Sequence, residues 1–394
     1  MVSVSAAKID ITPEGPCELS GFALREQPSQ GVHDPVFVRA VVLASDGLAV
    51  ALVSCDLLGL DPPDAEEVRR RLAEELGIGG AMVSCTHTHG APAVMALKGC
   101  GTPDPQYVAA VKGAIVECVR AAGRGRDQCW AKMGVGAAGV AMNRRATVDG
   151  RTHLLTSTSQ QARATAQGPV DPAVPTIQLG GDDGPVVMLF GHACHGTSVG
   201  HENRLITADH PGAACAHVEG RGDAGLPIFV QGACGDVNPA VETRGFEAAA
   251  RVGRAEAEAA MASLAAGVAV PLRSLAYAER GLQLPLMGTG DLVPVVISAI
   301  AADDFAVVSL PGEAFVGLGM AVRSASPFAV TMVAGYANGN VGYIPTRSAY
   351  PLGGYEVDSA YQYYGYPAPL APEAGEMAVA AALECLNDCK EQQV

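Results

Sequence analysis

The sequence has little charge for its length, and the charge it carries is mostly acidic. Only 17% of the 394 residues are charged, and 26 Lys and Arg stand against 41 Asp and Glu, which gives a net charge of −15. Nucleic acid and anionic membrane surfaces bind proteins through a concentrated basic patch. Because no basic cluster interrupts the acidic excess, the sequence predicts a protein that does not bind nucleic acid.

Export and membrane signals are also missing. Residues 1–15 contain neither a basic start nor an apolar stretch, and the longest apolar run, Leu292–Ala302, is too short to cross a bilayer. Hydrophobic residues nevertheless make up 49% of the chain, beside 47 Gly and 26 Pro. We therefore expect a loop-rich globular enzyme in the cytoplasm, without a stable membrane anchor.

Paired cysteines are absent as well. The 11 cysteines include no CxxC pair of the kind that binds zinc through thiolates, and several of them stand among apolar residues. This distribution predicts reduced thiols in the core, as at Cys55 and Cys118, and no disulfide framework.

The chain does contain a recurring pairing of apolar runs with polar turns. Apolar runs of strand length end in such turns at residues 81–85, 186–190, 227–230, 305–310 and 328–334. Helix signals predict a helix that begins after Asp61 and further helices at residues 104–123, 209–219, 246–265 and 373–389. These elements predict an α/β fold with a mixed β-sheet core flanked by helices. No internal repeat is visible, so we expect one catalytic domain over residues 1–394.

Histidine is scarce and unevenly placed. Of nine His, two lie in Thr86-His87-Thr88-His89 and four lie between residues 192 and 210. Residues i and i+2 of an extended segment project to the same side, so His87 and His89 can face one cavity. Neutral imidazole is the commonest metal ligand in proteins, and a catalytic zinc typically takes three protein ligands and leaves one position open.

The positions of these histidines relative to the predicted strands favour a shared site. In open α/β sheets, ligands bind beyond the carboxyl ends of the strands. Both histidine clusters and Glu313 directly follow apolar runs. A single buried histidine is usually structural, but three strand ends together predict a metal site in these loops, held by His87, a histidine of the second cluster and a carboxylate.

Seven short motifs, which follow one another along the chain, support this prediction. They are Thr86-His87-Thr88-His89, Asn143-Arg144, His195-Gly196-Thr197-Ser198, Ala208-Asp209, Gly235-Asp236-Val237, Pro311-Gly312-Glu313 and Tyr343-Ile344-Pro345-Thr346. In this order they resemble the neutral, non-lysosomal ceramidase family, zinc amidases that cleave the N-acyl bond of ceramide. Each motif alone is weak, and the specificity comes from the ordered combination.

The resemblance implies a single Zn²⁺ per chain. Carried over by motif, its ligands fall on His87, His195, Glu313 and Tyr343. Tyrosine is an unusual ligand, but a divalent cation lowers the pKa of the groups it coordinates. The family's substrate-lining positions fall on His89 and on Arg144, to which we assign proton transfer and orientation of a polar substrate group, respectively.

Two other positions bear on the mechanism. Asp209 either orients a ligating histidine or caps the helix that follows it, and both roles suit aspartate. The family's proposed catalytic serine corresponds here to Asn238. An amide is not an acyl-accepting nucleophile, so Asn238 is expected to donate a hydrogen bond to the oxyanion, or else only to close the turn before Pro239.

The expected function is hydrolysis of an amide bond in a small N-acyl molecule by metal-activated water. From the resemblance we expect a catalytic region alone, without the C-terminal β-sandwich domain of full-length ceramidases, and this expectation makes ceramide itself a weaker candidate. Alternatives are an ester or lactone hydrolase, an amide-forming cyclase, a metal-dependent isomerase or lyase, and a non-catalytic binding protein. The sequence does not determine the oligomeric state.

Overall fold

A computed structural model describes residues 2–45, 47–123, 125, 129–155, 164–265 and 267–393. The α-helices within these residues are α1 (Pro62–Leu76), α2 (Pro105–Ala122), α3 (Asp209–Glu219), α4 (Phe246–Ala265), α5 (Val316–Ala325), α6 (Tyr355–Asp358) and α7 (Ala374–Gln392), and 3₁₀ helices lie at Arg347–Leu352 and Ala360–Gln362. Every helix that the sequence predicted is present, with ends that differ by a few residues.

The described strands fall on both sides of the chain midpoint. The first half contains β1 (Ser3–Asp10), β2 (Gly31–Val32), β3 (Phe37–Ser45), β4 (Leu48–Cys55), β5 (Gly80–Cys85), β6 (Trp130–Ala137), β7 (Ala141–Asn143), β8 (Arg145–Val148), β9 (Arg151–Leu154), β10 (Ala173–Gly181) and β11 (Gly184–His192). The second half contains β12 (Leu205–Ile206), β13 (Leu226–Gln231), β14 (Val237–Pro239), β15 (Val270–Pro271), β16 (Ala276–Pro285), β17 (Leu292–Ala302), β18 (Phe305–Ser309), β19 (Glu313–Ala314), β20 (Val330–Ala334) and β21 (Tyr343–Ile344).

Helix α1 shows how local signals set an element's ends. Asp61 precedes two prolines at the first helical positions, where proline's fixed φ fits and its missing N–H is not needed. Gly77 ends the helix with φ 68°, a left-handed conformation that glycine adopts without a Cβ clash. Val68 and Leu72 are buried, because their spacing places them on the face that packs against the sheet.

Three sheets in the molecule share one plan. Their strand orders are β1-β3-β4-β5, β13-β11-β10-β6 with β15 added at its edge, and β16-β17-β18-β20. Each sheet has one parallel pair of strands, which is β4 with β5, β11 with β13, or β18 with β20, and its other pairs are antiparallel. One helix connects the parallel strands, and a second helix packs on the first two strands.

The chain is therefore built from three β-β-β-α-β-α units, a repeat that the sequence analysis missed. Packing constrains only which faces are apolar, so units with unrelated residues adopt the same plan. The prediction of an α/β fold with mixed sheets and flanking helices is confirmed, but the strands form several sheets and not a single one.

The three sheets face one another across a common core. Leu52, Ile177 and Phe305, one from each sheet, are fully or almost fully buried there, and burial of such a side chain contributes about 1.5–3 kcal/mol. The helices cover the outer faces, with α1 and α2 on the first sheet, α3 and α4 on the second, and α7 on the third.

The parallel edges of the units meet, and this contact positions the site. The Gly335 N–H after β20 donates to the Gln231 carbonyl at the end of β13 (2.8 Å), and the Asn338 N–H donates to the Val83 carbonyl of β5 (2.7 Å). The carboxyl ends of these strands consequently lie side by side, and the loops that follow them share one region of the molecule.

The composition predicted reduced thiols in the core and no segment long enough to cross a bilayer. The structure contains no disulfide among its described residues, and all cysteines except Cys17 are buried. No helix in the described ranges combines the length and apolarity needed to cross a bilayer.

Candidate functional site

Three acceptor atoms from different units converge on one point. His87 follows β5, His195 follows β11 and Glu313 follows β18, and all three side chains are buried. The Nε2 atoms of the two histidines are 3.0 Å apart. Glu313 Oε2 lies 3.4 Å from each of them. Such spacing is what a tetrahedral ion imposes on its ligands, since metal–ligand distances of about 2.0–2.2 Å separate donors by roughly 3.3 Å.

Hydrogen bonds on the far side of each ring orient the two histidines. His87 Nδ1 lies 2.7 Å from the Leu58 carbonyl and His195 Nδ1 lies 2.9 Å from the Cys234 carbonyl. A carbonyl only accepts, so each Nδ1 carries a proton and each Nε2 is the ring nitrogen that faces the shared point. Burial and the neighbouring His87 lower the pKa of His195 to about 4, so its ring is neutral at pH 7.

Glu313 presents a carboxylate oxygen to the same point. Its Oε2 is buried and has no hydrogen-bond partner in the described part of the chain. Burial opposes ionisation, but interactions with His87 and His195 lower the pKa of Glu313 well below its usual range. Two imidazole nitrogens and one carboxylate oxygen that face one point form a set that fits Zn²⁺.

Close backbone contacts hold the loops around this point. The His89 N–H donates to the Gly196 carbonyl (3.0 Å), and a Cβ at Gly196 would lie 2.6 Å from the His87 carbonyl oxygen. A Cβ at Gly235 would lie 2.3 Å from the Glu313 carbonyl oxygen. Because no side chain fits at either place, glycine allows the loops of separate units to touch.

Tyr343 lies beside Glu313 in the parallel pairing of β19 with β21. Its hydroxyl accepts a hydrogen bond from Arg144 Nη2 (2.9 Å). Burial raises the pKa of Tyr343 well above its usual range, and the Arg144 charge opposes that shift. The predicted ligand Tyr343 therefore pairs in strand register with the predicted ligand Glu313, and the Arg144 charge favours ionisation of its hydroxyl without offsetting burial.

His89 adjoins the donor cluster. Its Nε2 is 3.3 Å from His87 Nε2, and its ring packs on Phe22 with the centroids 4.6 Å apart. Burial, followed by the neighbouring His87 and His195, lowers the pKa of His89 well below its usual range, so the ring is neutral. His87, His89 and His195 also form a group whose ligand atoms are close enough to share an ion.

Arg144 is held by the protein itself, which alters its expected role. It is buried, its Nε donates to Glu356 Oε1 (2.9 Å), and Arg145 donates to the other oxygen of the same carboxylate. With a further bond to Tyr343, the guanidinium orients a candidate ligand in addition to lining the cleft. Glu356 was not found from the sequence, where no pattern distinguishes it from other acidic residues.

The Glu356 contacts predict a large loss of stability on substitution. Glu356→Gln leaves two buried guanidinium groups without a negative partner, and breaking a buried ion pair in this way costs about 3–5 kcal/mol. Urea unfolding of the full chain measures the change. Glu376→Gln, which removes an exposed ion pair with Arg347, serves as the control and should change stability far less. Equal losses in the two variants would contradict this account.

Asp209 joins the start of α3 to the loop that follows His195. Its carboxylate accepts the backbone N–H groups of Ser198 (3.1 Å) and Val199 (3.0 Å) in that loop, and the N–H of His210 (2.6 Å) in the first turn of α3. It serves the helix N-terminus from the first helical position, since the N-cap residue is Ala208, and it contacts no candidate ligand ring among the described residues. The residue has a positive φ of 54°, a strained conformation that directs the carboxylate towards this loop.

A buried polar cluster behind His195 was also missed. His210 Nε2 lies 3.1 Å from the His195 carbonyl, and its Nδ1 lies 2.9 Å from Glu256 Oε2. His192 Nδ1 lies 2.8 Å from the other oxygen of Glu256. Burial lowers the pKa of His210, but the Glu256 carboxylate outweighs burial and raises it well above its usual range. The resulting ion pair fixes the backbone of the turn that carries His195.

The donor cluster lies on the wall of a cleft of about 410 Å³. Its other walls are mostly apolar and aromatic, formed by residues including Phe22, Leu58, Leu97, Leu154, Leu155, Tyr355, Tyr363 and Tyr364. Asn238 lines the same cleft, in the middle of β14, and its carboxamide has no hydrogen-bond partner among the residues described here. A role limited to closing the turn therefore lacks a bond to support it.

Comparison with known protein families gives a consistent match. Residues 3–258 match the family of neutral/alkaline non-lysosomal ceramidases, in the N-terminal part of those proteins. The neutral ceramidase of Mycobacterium tuberculosis is 29% identical over 267 residues, which are 61% of this chain and 41% of that protein. The neutral ceramidase of Drosophila pseudoobscura pseudoobscura is 26% identical over 271 residues, 60% of this chain and 36% of that protein.

Solved structures extend the similarity beyond the span of the family match. The crystal structure of neutral ceramidase from Pseudomonas aeruginosa superimposes with a TM-score of 0.77 at 17% identity, covering 98% of this chain and 74% of that one. A ceramidase complexed with C2 gives a TM-score of 0.80 at 17% identity, covering 99% and 75%. At this identity the likeness establishes the fold. The chain spans less than half the length of the curated relatives it matches.

Proposed function

Because the chain belongs to the neutral/alkaline non-lysosomal ceramidase family, as its motifs predicted, we propose that it is a zinc hydrolase that cleaves the amide bond of a small N-acyl molecule. One observation carries the proposal. His87, His195 and Glu313 direct two imidazole nitrogens and one carboxylate oxygen at a single point on the wall of a cleft. Curated relatives that share this part of the chain are named neutral ceramidases.

The chain's own residues would hold one zinc ion. His87, His195 and Glu313 provide three ligands, and Tyr343 provides the fourth, since it adjoins Glu313 in strand register and receives the Arg144 hydrogen bond. When bound, zinc supplies a water of lowered pKa and a Lewis acid for an acyl carbonyl.

His89 is the residue placed to move the proton. Its neutral ring adjoins the donor cluster and lines the cleft. It would accept the proton of the attacking water at one ring nitrogen and deliver a proton to the leaving amine, which a positioned histidine does with a gain of about 10²–10⁴-fold. Arg144 and Glu356 hold the wall of the cleft through their buried ion pair.

Asn238 would stabilise the charge that develops on the acyl oxygen. Its carboxamide faces the cleft, and an amide N–H is a donor that acquires a partner only when an oxyanion forms. Removal of one such donor costs roughly 10²–10³-fold in kcat. Because asparagine is not a nucleophile, no acyl-enzyme forms at this position.

Replacement of Asn238 tests this role. Asn238→Ala is expected to lower kcat roughly 10²–10³-fold, and Asn238→Ser should recover part of the loss, since a hydroxyl also donates. Steady-state kinetics on both variants and thermal unfolding of both give the comparison. An Asn238→Ala protein that melts earlier but turns over at the wild-type rate would remove Asn238 from the mechanism.

The cleft favours a substrate with an apolar acyl group. Its volume of about 410 Å³ falls within the range of small-molecule sites, and nine of its 22 lining residues are leucine or tyrosine. Transfer of each methylene from water to such a wall gains about 0.8 kcal/mol. Affinity should therefore rise with acyl length until the cleft is filled.

A substrate series tests the proposed function. N-acyl amines of increasing chain length and the corresponding esters are incubated with the zinc-loaded protein, and the released amine or alcohol is measured. We expect amine release, with kcat/KM increasing along the series. Cleavage of the esters alone would instead indicate an ester or lactone hydrolase. Absence of acyl cleavage at full zinc occupancy would leave the isomerase, lyase or binding-protein alternatives.

A further inference from the structure

The two oxygens of the Glu313 carboxylate have different surroundings. Oε2 has no partner among the described residues and lies 3.4 Å from the Nε2 atoms of His87 and His195. Oε1 accepts a hydrogen bond from the hydroxyl of Tyr364. One oxygen is thus occupied by a protein donor, and the other points at the proposed metal position.

The Tyr364 ring is held firmly in the place that this bond requires. A Cβ at Gly342 would lie 2.9 Å from the ring, so the ring packs directly on the backbone that precedes Tyr343. On the turn that carries it, the Tyr364 N–H donates to the Tyr361 carbonyl (3.1 Å). The ring also stacks on Tyr366, with the centroids 6.5 Å apart and the planes 12° apart. These contacts fix the direction of the hydroxyl.

We propose that Tyr364 is a positioning residue that makes Glu313 bind zinc through Oε2 alone. A carboxylate with two unoccupied oxygens can chelate a metal through both, and the second contact would take the position that substrate and water need. A hydrogen bond to Oε1 commits that oxygen to Tyr364 and orients the carboxylate plane. This inference rests on the proposed zinc site and not on the identity of the substrate.

The test removes only the hydroxyl. In Tyr364→Phe, zinc affinity measured by competition with a chromophoric chelator is expected to fall about 10–100-fold, as is typical when a partner of a metal ligand is removed. The cobalt-substituted variant should also lose visible absorptivity, because a carboxylate that binds through both oxygens raises the coordination number. Tyr366→Phe is the matched control, since it removes a hydroxyl from the stacked neighbour that lies away from Glu313.

The outcomes separate this inference from the proposed function. The inference is supported if Tyr364→Phe shows weaker zinc binding and an altered cobalt spectrum while Tyr366→Phe shows neither. Unchanged affinity, or weaker affinity with an unchanged spectrum, overturns it, because a purely structural role would leave the coordination number as it was. If the variant does not fold, the cobalt spectrum of the wild-type protein decides. Four protein ligands and one water give a five-coordinate spectrum, and a six-coordinate spectrum overturns the inference. A wild-type protein that binds no zinc would contradict the proposed function itself.

Discussion

In the His195→Ala variant, bound zinc and amide hydrolysis are expected to disappear together. His195 supplies one of the two imidazole nitrogens in a cluster whose atoms meet within 3.4 Å, and without it only one imidazole remains beside Glu313 and Tyr343 to hold the ion. We expect a loss of activity of at least about 10⁴-fold, the upper value for a general acid–base group, because both the metal and the activated water are lost. His87→Ala should behave in the same way.

Elemental analysis after gel filtration measures the bound zinc, and single-turnover assays measure the rate of amide hydrolysis. His201→Ala is the control, since this histidine lines the cleft and is exposed, but does not belong to the donor cluster. It should keep its zinc. Retention of stoichiometric zinc by His195→Ala or His87→Ala would show that the ligands have been assigned wrongly.

The His89→Ala variant should keep its zinc and lose rate. Its Nε2 stands 3.3 Å from His87 Nε2, close enough to exchange a proton with a water held beside the cluster. Loss of a positioned general base lowers kcat by about 10²–10⁴-fold. The same measurements of zinc content and rate apply. If zinc affinity falls in parallel with rate, His89 is a ligand, and the proton must be transferred by another group.

The sequence contained enough to locate the candidate ligands. His87, Glu313 and the histidine cluster that contains His195 each follow an apolar run of strand length, and the rule that sites form at strand carboxyl ends predicted that they meet. The family resemblance then selected His195 within its cluster. Helix α4 was predicted with the bounds that the structure shows, because its small apolar residues recur at helical spacing. Such patterns depend on residues that are near one another in the chain, so a single sequence is enough to recognise them.

The residues that position the candidate ligands could not be recognised from the sequence, because their contacts are not local. Tyr364, Glu356 and His210 reach the site through contacts between residues distant in the chain. A buried carboxylate between two arginines has the same sequence signature as a solvated one, since only the tertiary structure decides its exposure. The repeated units were hidden as well, because strand order and helix packing do not require similar residues.

Titration of zinc into metal-free protein tests the central claim most directly. Amine release from an N-acyl substrate is measured after each addition, beside the bound zinc determined by elemental analysis. We expect no activity without metal, a linear rise with added zinc, and a plateau once one zinc per chain is bound at His87, His195 and Glu313. Full amide hydrolysis by protein that contains no transition metal would contradict the account.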